Sequence, residues 1–201
     1  MKKHVLAFVI LAFWISSSSA ETYESPFGFT VDIPSHWLIV SKQEVRENPD
    51  LFNFEAEPFK NANKALLEQV KNAVSSGKVE IYFNRDTSAP HFVDNINVTK
   101  TFGHLPETVS EKDKACEQLP RILSEGFGKP ITLYECGFRK VAGLNAFYAD
   151  YDGVVKGTRN IQYQIRKSPN VIIVITATCK NQTLQTIREE FEDIMASLEL
   201  R

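Results

Sequence analysis

Four strand-like segments between Ile131 and Thr178 constrain the fold of this 201-residue chain more than any other feature. Short turn sequences at residues 143–145, 153–157 and 168–170 separate them. Turns this short join antiparallel neighbours, because a parallel pair needs a crossover of about a dozen residues or more. Residues 171–175 are apolar on both faces, which is typical of a central strand covered on both sides. The sequence therefore predicts an antiparallel sheet that contains all four segments.

The C-terminal region has a clear amphipathic pattern. Its apolar residues are three, four, three and four positions apart, as on one side of a helix, and its polar side is mainly acidic. A helix lying on a membrane surface would be expected to have a basic polar side. Packing against the sheet is therefore the favoured interpretation. The apolar positions are Leu184, Ile187, Phe191, Ile194 and Leu198.

The part of the chain before these four strands adds further strands and two helices. The first helix is predicted to begin at Pro58 and to stop at Gly77, and the second to run from a cap at Ser110 through Phe127 with a kink at Pro120. No repeat, linker or low-complexity tract divides the chain. We therefore predict one α+β domain over residues 21–201. Alternation and turn residues predict its earlier strands near residues 27–33, 37–40, 51–54, 79–83 and 96–102.

The N-terminus has the pattern of a secretory signal peptide. Lys2 and Lys3 precede an apolar run over residues 5–15, and small residues lead up to Ala20. The alternative is an uncleaved anchor, but the run is short against the roughly 20 residues that a membrane span needs. We predict cleavage after Ala20, export to the periplasm or the medium, and no stable membrane insertion afterwards.

The charge balance excludes one class of partner. Loss of residues 1–20 removes Lys2 and Lys3, so 21 basic residues would face 25 acidic ones, a net charge of −4. No run of Lys and Arg interrupts this mildly acidic balance. Nucleic-acid binding has no electrostatic support, because it depends on neutralising phosphates with basic residues.

Three cysteines permit one disulfide in an oxidising compartment. Cys116 lies on an apolar helical face and Cys136 on the strand that follows, so packing of one on the other would bring them together. We predict a Cys116–Cys136 disulfide that leaves Cys179 over. Three reduced, buried thiols are the alternative.

Ile33-Pro34 is followed by Trp37 near the start, a meander of strands comes next, and Phe191 is followed by Ile194 in the last helix. This pattern resembles the PsbP-like superfamily, which also includes the Ran-binding Mog proteins and the envelope protein DcrB. It implies an α/β/α sandwich with a central, mostly antiparallel sheet. It also implies binding or assembly rather than catalysis, and it offers no catalytic or cofactor-binding residue. The export signal favours a bacterial envelope member.

The connection over residues 84–95 is the predicted ligand or partner loop. It carries Arg85, Asp86, His91 and Asp94, and loops on a rigid sheet often hold binding sites. A solvated connection is the alternative. A metal site combining His91 and Asp94 with His104 is a further alternative, although these residues lack the usual ligand spacing. We predict no cofactor.

The sequence is therefore interpreted as a non-catalytic periplasmic or secreted binding module of the cell envelope. Its expected partner is an envelope protein or a small ligand. The alternative is a metal- or small-ligand-dependent enzyme that uses the loop over residues 84–95. Aromatic residues near the mature N-terminus are expected in the core and would form a partner surface if exposed together. They are Phe27, Phe29, Trp37, Phe52, Phe54 and Phe59.

Overall fold

The computed structural model describes residues 20–48, 64–87 and 92–201. Several features predicted from the sequence lie outside these ranges. They are the signal peptide up to residue 19, the strand at 51–54, the helix start at Pro58 and the loop residue His91. The described strands are β1 (Ala20–Ser25), β2 (Phe29–Pro34), β3 (Trp37–Val40), β4 (Val79–Asn84), β5 (Asn95–Phe102), β6 (Leu133–Val141), β7 (Leu144–Asp152), β8 (Thr158–Ser168), β9 (Val171–Lys180) and β10 (Glu199–Leu200). The helices are α1 (Lys42–Glu47), α2 (Lys64–Ser75), α3 (Val109–Phe127) and α4 (Leu184–Ala196).

Seven strands form the main sheet, in the order β3-β4-β5-β9-β8-β7-β6, and every described pairing is antiparallel. The four predicted segments are β6 to β9, and the predicted antiparallel arrangement is confirmed. The β6–β7 turn is two residues long, with φ of 49° at Ala142 and 74° at Gly143. Positive φ at both positions matches the right-handed twist of a hairpin. A smaller antiparallel sheet has the order β1-β2-β10.

Helices and the smaller sheet cover the main sheet in layers. On one face, α2 packs through Val74 against β3 and β4, while α3 packs through Leu119 against β6 and β7. The opposite face is covered by α4 and by the smaller sheet, which together enclose the main core. The fold is thus α+β with a central antiparallel sheet and helices on both faces, as the sequence predicted. Buried on the α4 side are, among others, Phe29, Val31, Tyr82, Ile96, Ile161, Ile173, Phe191 and Leu198.

The structure corrects some details of the helix prediction. α3 is capped by Thr108 rather than Ser110: the Thr108 hydroxyl accepts from the Glu111 N–H, and the Glu111 side chain accepts from the Thr108 N–H. This reciprocal pair satisfies N–H groups that have no partner inside a helix. As predicted, the helix contains Pro120 and runs through Phe127, and it is capped by Gly128, whose φ of 66° suits a residue without Cβ. α1 was not predicted, because a six-residue helix leaves too short a periodic pattern.

A buried carboxylate joins α4 to the sheet. Asp150 on β7 accepts hydrogen bonds from Arg159 on β8 and from Arg188 on α4. Arg188 also donates to the Tyr148 hydroxyl at 2.9 Å. Two guanidinium partners compensate the cost of burying a carboxylate that is 2% exposed. Asp150 is therefore a structural residue of the α4 interface.

The cysteine prediction is confirmed. Cys116 on α3 and Cys136 on β6 form a disulfide with their Cα atoms 5.7 Å apart, and Cys179 is free and buried. The bridge ties α3 to the edge strand on which the helix packs. In the described part of the chain, no helix is both long and apolar enough to cross a membrane.

Reduction of this disulfide should lower the free energy of unfolding by about 3 kcal/mol, the entropic contribution of a loop of about 20 residues. Urea unfolding with and without dithiothreitol measures the loss. The Cys116→Ser/Cys136→Ser variant is the matched control and should be insensitive to the reductant. Equal stability of the oxidised and reduced wild-type protein would contradict the expected contribution.

Candidate partner-binding cleft

An open cleft of about 310 Å³ lies where the edges of the two sheets meet. Its walls come from β1 of the smaller sheet and β3 of the main sheet, and α1 contributes Glu44. Arg85, which follows β4, completes the rim. The other lining residues are Glu21, Thr22, Tyr23, Ile33, Pro34, Ser35, Trp37, Leu38 and Ile39.

Two tight turns place the strands that form the cleft. Gly28 joins β1 to β2 with a φ of 86°, and its N–H donates to the Ser25 carbonyl at 2.8 Å. A Cβ at this position would meet the Lys167 ammonium, which donates to the Phe27 carbonyl. Pro34 then ends β2, and a two-residue turn leads into β3. The chain thereby passes from the smaller sheet to the main sheet at one corner of the molecule.

Glu80 holds β1 against the main sheet beneath the cleft. Its carboxylate accepts from the hydroxyls of Ser25 at 2.8 Å, Tyr23 at 2.9 Å and Tyr82 at 3.2 Å. Burial raises the pKa of Glu80, and the three hydroxyl donors oppose that rise. The pKa of Tyr23 and Tyr82 is raised by burial and by the neighbouring Glu80 charge. The cluster fixes Tyr23, which lines the cleft.

Trp37 and His36 anchor the other wall. The Trp37 Nε1–H donates to Glu190 Oε2 on α4 at 3.0 Å, and His36 Nε2 lies 3.0 Å from the same oxygen. Trp37 is only 4% exposed, so its ring supports the wall instead of presenting an aromatic surface. Phe27 and Phe29 are buried as well, which confirms the core prediction for these three residues. Phe52, Phe54 and Phe59 lie outside the described residues.

The structure brings Arg85 of the predicted loop to the cleft. The Arg85 N–H donates to the His36 carbonyl at 2.9 Å, which links the end of β4 to the turn before β3. Asn84 Oδ1 accepts from the Asp86 N–H at 2.9 Å and shapes the start of the loop. The side chains of Arg85 and Asp86 are both exposed.

Asp94 has a different role. It is fully buried, and its carboxylate accepts from the Lys180 N–H at 3.0 Å and from the Thr87 hydroxyl at 3.1 Å. It therefore ties the loop to the end of β9 and does not face the cleft.

Burial, together with the nearby Asp94 charge, raises the pKa of the Cys179 thiol to about 12, so Cys179 is an inert core residue.

The metal alternative does not fit this arrangement. Asp94 precedes β5 and His104 follows it, so the eight residues of that strand place them about 25 Å apart at about 3.3 Å per residue. Metal ligands lie within about 2 Å of a shared ion. Asp94 and His104 therefore cannot bind one metal together.

The sequence analysis missed Glu80 and Tyr23. The alternation of Val79, Ile81 and Phe83 assigned those three side chains to the core and left Glu80 on the opposite face. β4 is covered on both faces, and Glu80 is 1% exposed. The sequence feature that indicates burial of Glu80 is Tyr82, an aromatic residue on the same face of β4. Nothing local indicated that β1 would supply the hydroxyl partners from more than fifty residues away.

Comparison with known proteins supports the fold. No protein-family model matches the chain, and no curated protein matches its sequence. The solution structure of cyanobacterial PsbP (CyanoP) from Synechocystis sp. PCC 6803 superposes with a TM-score of 0.54 over 94% of this chain and 96% of that one, at 11% identity. The chain has a PsbP-like fold.

Two further structures are similar to this chain. The Ran-binding protein Mog1p of Saccharomyces cerevisiae gives a TM-score of 0.48 at 11% identity, with 92% of this chain and 96% of that chain covered. LpqN of Mycobacterium tuberculosis, described as involved in cell envelope biogenesis, gives 0.47 at 8% identity with 90% of each chain covered. At these identities the similarity concerns the fold alone.

Replacement of Glu80 by Gln tests the buried cluster through its pH dependence. Because the folded protein raises the pKa of Glu80 above its ordinary value of 4.5, the protonated form is favoured in the folded state. The stabilisation that protonated Glu80 gives the folded state is complete below about pH 4.5. It decreases as the pH rises towards the pKa of Glu80 in the folded protein. Above pH 4.5, wild type should lose free energy of unfolding relative to Glu80→Gln, by at most about 1.4 kcal/mol per pH unit.

Urea unfolding between pH 4 and pH 7 measures this difference. Glu117→Gln, on the exposed side of α3, is the matched control and should follow the wild-type profile. A constant difference between wild type and Glu80→Gln across this range would refute the assignment.

Proposed function

We propose that this protein is an exported, non-catalytic accessory module that binds an extended segment of a cell-envelope protein in the cleft between β1 and β3. The observation that carries the proposal is the position of both strands at sheet edges. β1 pairs only with β2, and β3 only with β4, among the described strands. An edge strand offers backbone N–H and C=O groups to an added strand.

The charged residues around the cleft would select which partner segments bind there. Glu21 and Glu44 lie on its walls, and Arg85 stands at its rim. Charged groups around an interface set register and association rate more than affinity. A partner segment that adds to β1 or β3 would therefore be expected to carry complementary charges beside its backbone pairing.

Two further observations support an accessory role in an oxidising compartment. The Cys116–Cys136 disulfide is typical of exported proteins. The described part of the predicted loop favours binding over the enzyme alternative, because Asp94 is engaged inside the fold while Arg85 faces the cleft.

Photo-crosslinking in intact cells tests the cleft. A benzoylphenylalanine at Ser35, which is exposed and lines the cleft, should crosslink one envelope protein. The same substitution at Ser110, which is exposed at the start of α3, is the matched control and should not. Arg85→Glu should lower the crosslink yield about fivefold, equivalent to about 1 kcal/mol, whereas Arg121→Glu on α3 should leave it unchanged.

Equal crosslinking from Ser35 and Ser110, or a product insensitive to Arg85→Glu, would contradict binding in the cleft.

Processing after Ala20 is a separate prediction of the same proposal. Cleavage there would leave residues 21–25 of β1 in place, including the Tyr23 and Ser25 partners of Glu80. Mass spectrometry of the protein recovered from the periplasm or medium should give Glu21 as the first residue. A protein that retains Lys2 and Lys3 would contradict cleavage after Ala20, and one found only in the cytoplasm would contradict export.

A further inference from the structure

The face of the main sheet that carries α2 and α3 contains an uncharged polar patch. α2 covers β3 and β4 at one end, and α3 covers β6 and β7 at the other. The α3 cluster also includes Ile172 and Val174 of β9, and the rest of the central strands β5, β9 and β8 lies between the helices. Three rows of paired residues cross these strands on this face. We call this set the neutral face. Its rows are Asn95, Thr178 and Asn160; Asn97, Thr176 and Gln162; and Thr99, Val174 and Gln164.

Eight of these nine residues carry an amide or a hydroxyl, and none is charged. The residues that pair with this face on the neighbouring strands β4 and β7 are apolar or aromatic and lie beneath the helices. Ile81 on β4 and Phe147 on β7 are examples. A central strand covered on both sides is expected to be apolar on both faces. β9 follows that expectation on its α4 side through Ile173 and Ile175, but Thr176 and Thr178 depart from it on the other side.

Hydrogen bonds within the neutral face hold its side chains in place. Gln162 donates to the Thr176 hydroxyl at 3.0 Å and to the Tyr151 hydroxyl at 3.2 Å, and Gln164 donates to Gln162 Oε1 at 2.8 Å. Thr178 donates to Asn160 Oδ1 at 2.9 Å. These contacts orient the amides before any ligand arrives, which lowers the entropic cost of binding.

The same groups retain hydrogen-bonding capacity. Five side-chain amides bring about ten N–H donors and five carbonyl oxygens to a small area, more than the contacts within the face use. Thr176 and Asn160 are each 6% exposed, and the other polar members of the face are half-buried. The patch is therefore partly exposed, and Thr176 and Asn160 form its buried floor.

The chemistry of the face selects its ligand. An apolar ligand would leave the amides without partners, which is costly. A charged ligand would meet no opposite charge on the nine positions. Sugar hydroxyls both donate and accept, and they match amides and hydroxyls arranged about 4.8 Å apart across strands and about 6.6 Å apart along them.

We propose that the neutral face of β5, β9 and β8 binds an uncharged oligosaccharide. This site is separate from the cleft between β1 and β3 and does not depend on the function proposed for that cleft. It would give the protein a second point of attachment, to glycan, in an envelope assembly.

Titration of the ¹⁵N-labelled protein with maltotetraose, cellotetraose and tetra-N-acetylchitotetraose tests the proposal. At least one of the three should shift amide resonances on β5, β8 and β9, with residues around the β1–β3 cleft unaffected. Gln162→Leu and Gln164→Leu preserve approximate volume but remove the amide, and each should weaken binding tenfold or more. Gln185→Leu, on the exposed side of α4, is the matched control and should bind as wild type.

The wild-type titration alone can overturn the proposal. It would do so if none of the three sugars shifted any amide resonance, or if the shifts were confined to other surfaces. Unchanged affinity in a folded Gln162→Leu or Gln164→Leu variant would do so as well. Neither result would affect the crosslinking test of the cleft, so the two proposals fail separately.

Discussion

The contact between the Glu80 carboxylate and three hydroxyl groups couples the two sheets of this protein. Tyr23 and Ser25 belong to the smaller sheet, whereas Tyr82 and Glu80 belong to β4 of the main sheet. A carboxylate buried to this degree is costly unless its oxygens accept hydrogen bonds. The need to satisfy Glu80 therefore fixes β1 over β4, and the wall of the cleft follows from that position.

Asp150 has the corresponding role at the other end of the same face. Its contacts with Arg159 and Arg188 attach α4 to β7 and β8, while Trp37 and His36 attach the opposite side of α4 to β3 through Glu190. The apolar contacts between these anchors supply most of the favourable free energy through burial. The polar anchors determine the position of α4 and of the smaller sheet on the main sheet.

The two proposed binding regions lie on different parts of this frame. The cleft arises where two strand edges meet, and its chemistry is that of exposed backbone with charged side chains at the rim. The neutral face arises because α2 and α3 pack at opposite ends of the other surface and leave the middle strands to polar side chains. Helix placement therefore determines where each region is accessible.

The amino-acid sequence predicted the elements that have strong periodicity. The strands β6 to β9, the amphipathic α4 and the Cys116–Cys136 pairing were all predicted, because alternation and helical spacing record local burial. It also identified Arg85 as a candidate, since a charged loop residue next to a strand end is visible in the chain. The short helix α1 and the Thr108 cap of α3 were missed or misplaced, because several nearby polar residues could serve as a cap.

Which distant residues share a site depends on the three-dimensional arrangement of the strands. Glu80 finds its partners more than fifty residues away, and Asn97, Thr176 and Gln162 meet only because β5, β9 and β8 are neighbours in the main sheet. Asp94 was a candidate for binding in the sequence, and strand placement turned it inward to the backbone of Lys180. Periodicity reports which side of an element is buried, whereas strand order determines what lies opposite, and these sites depend on the second.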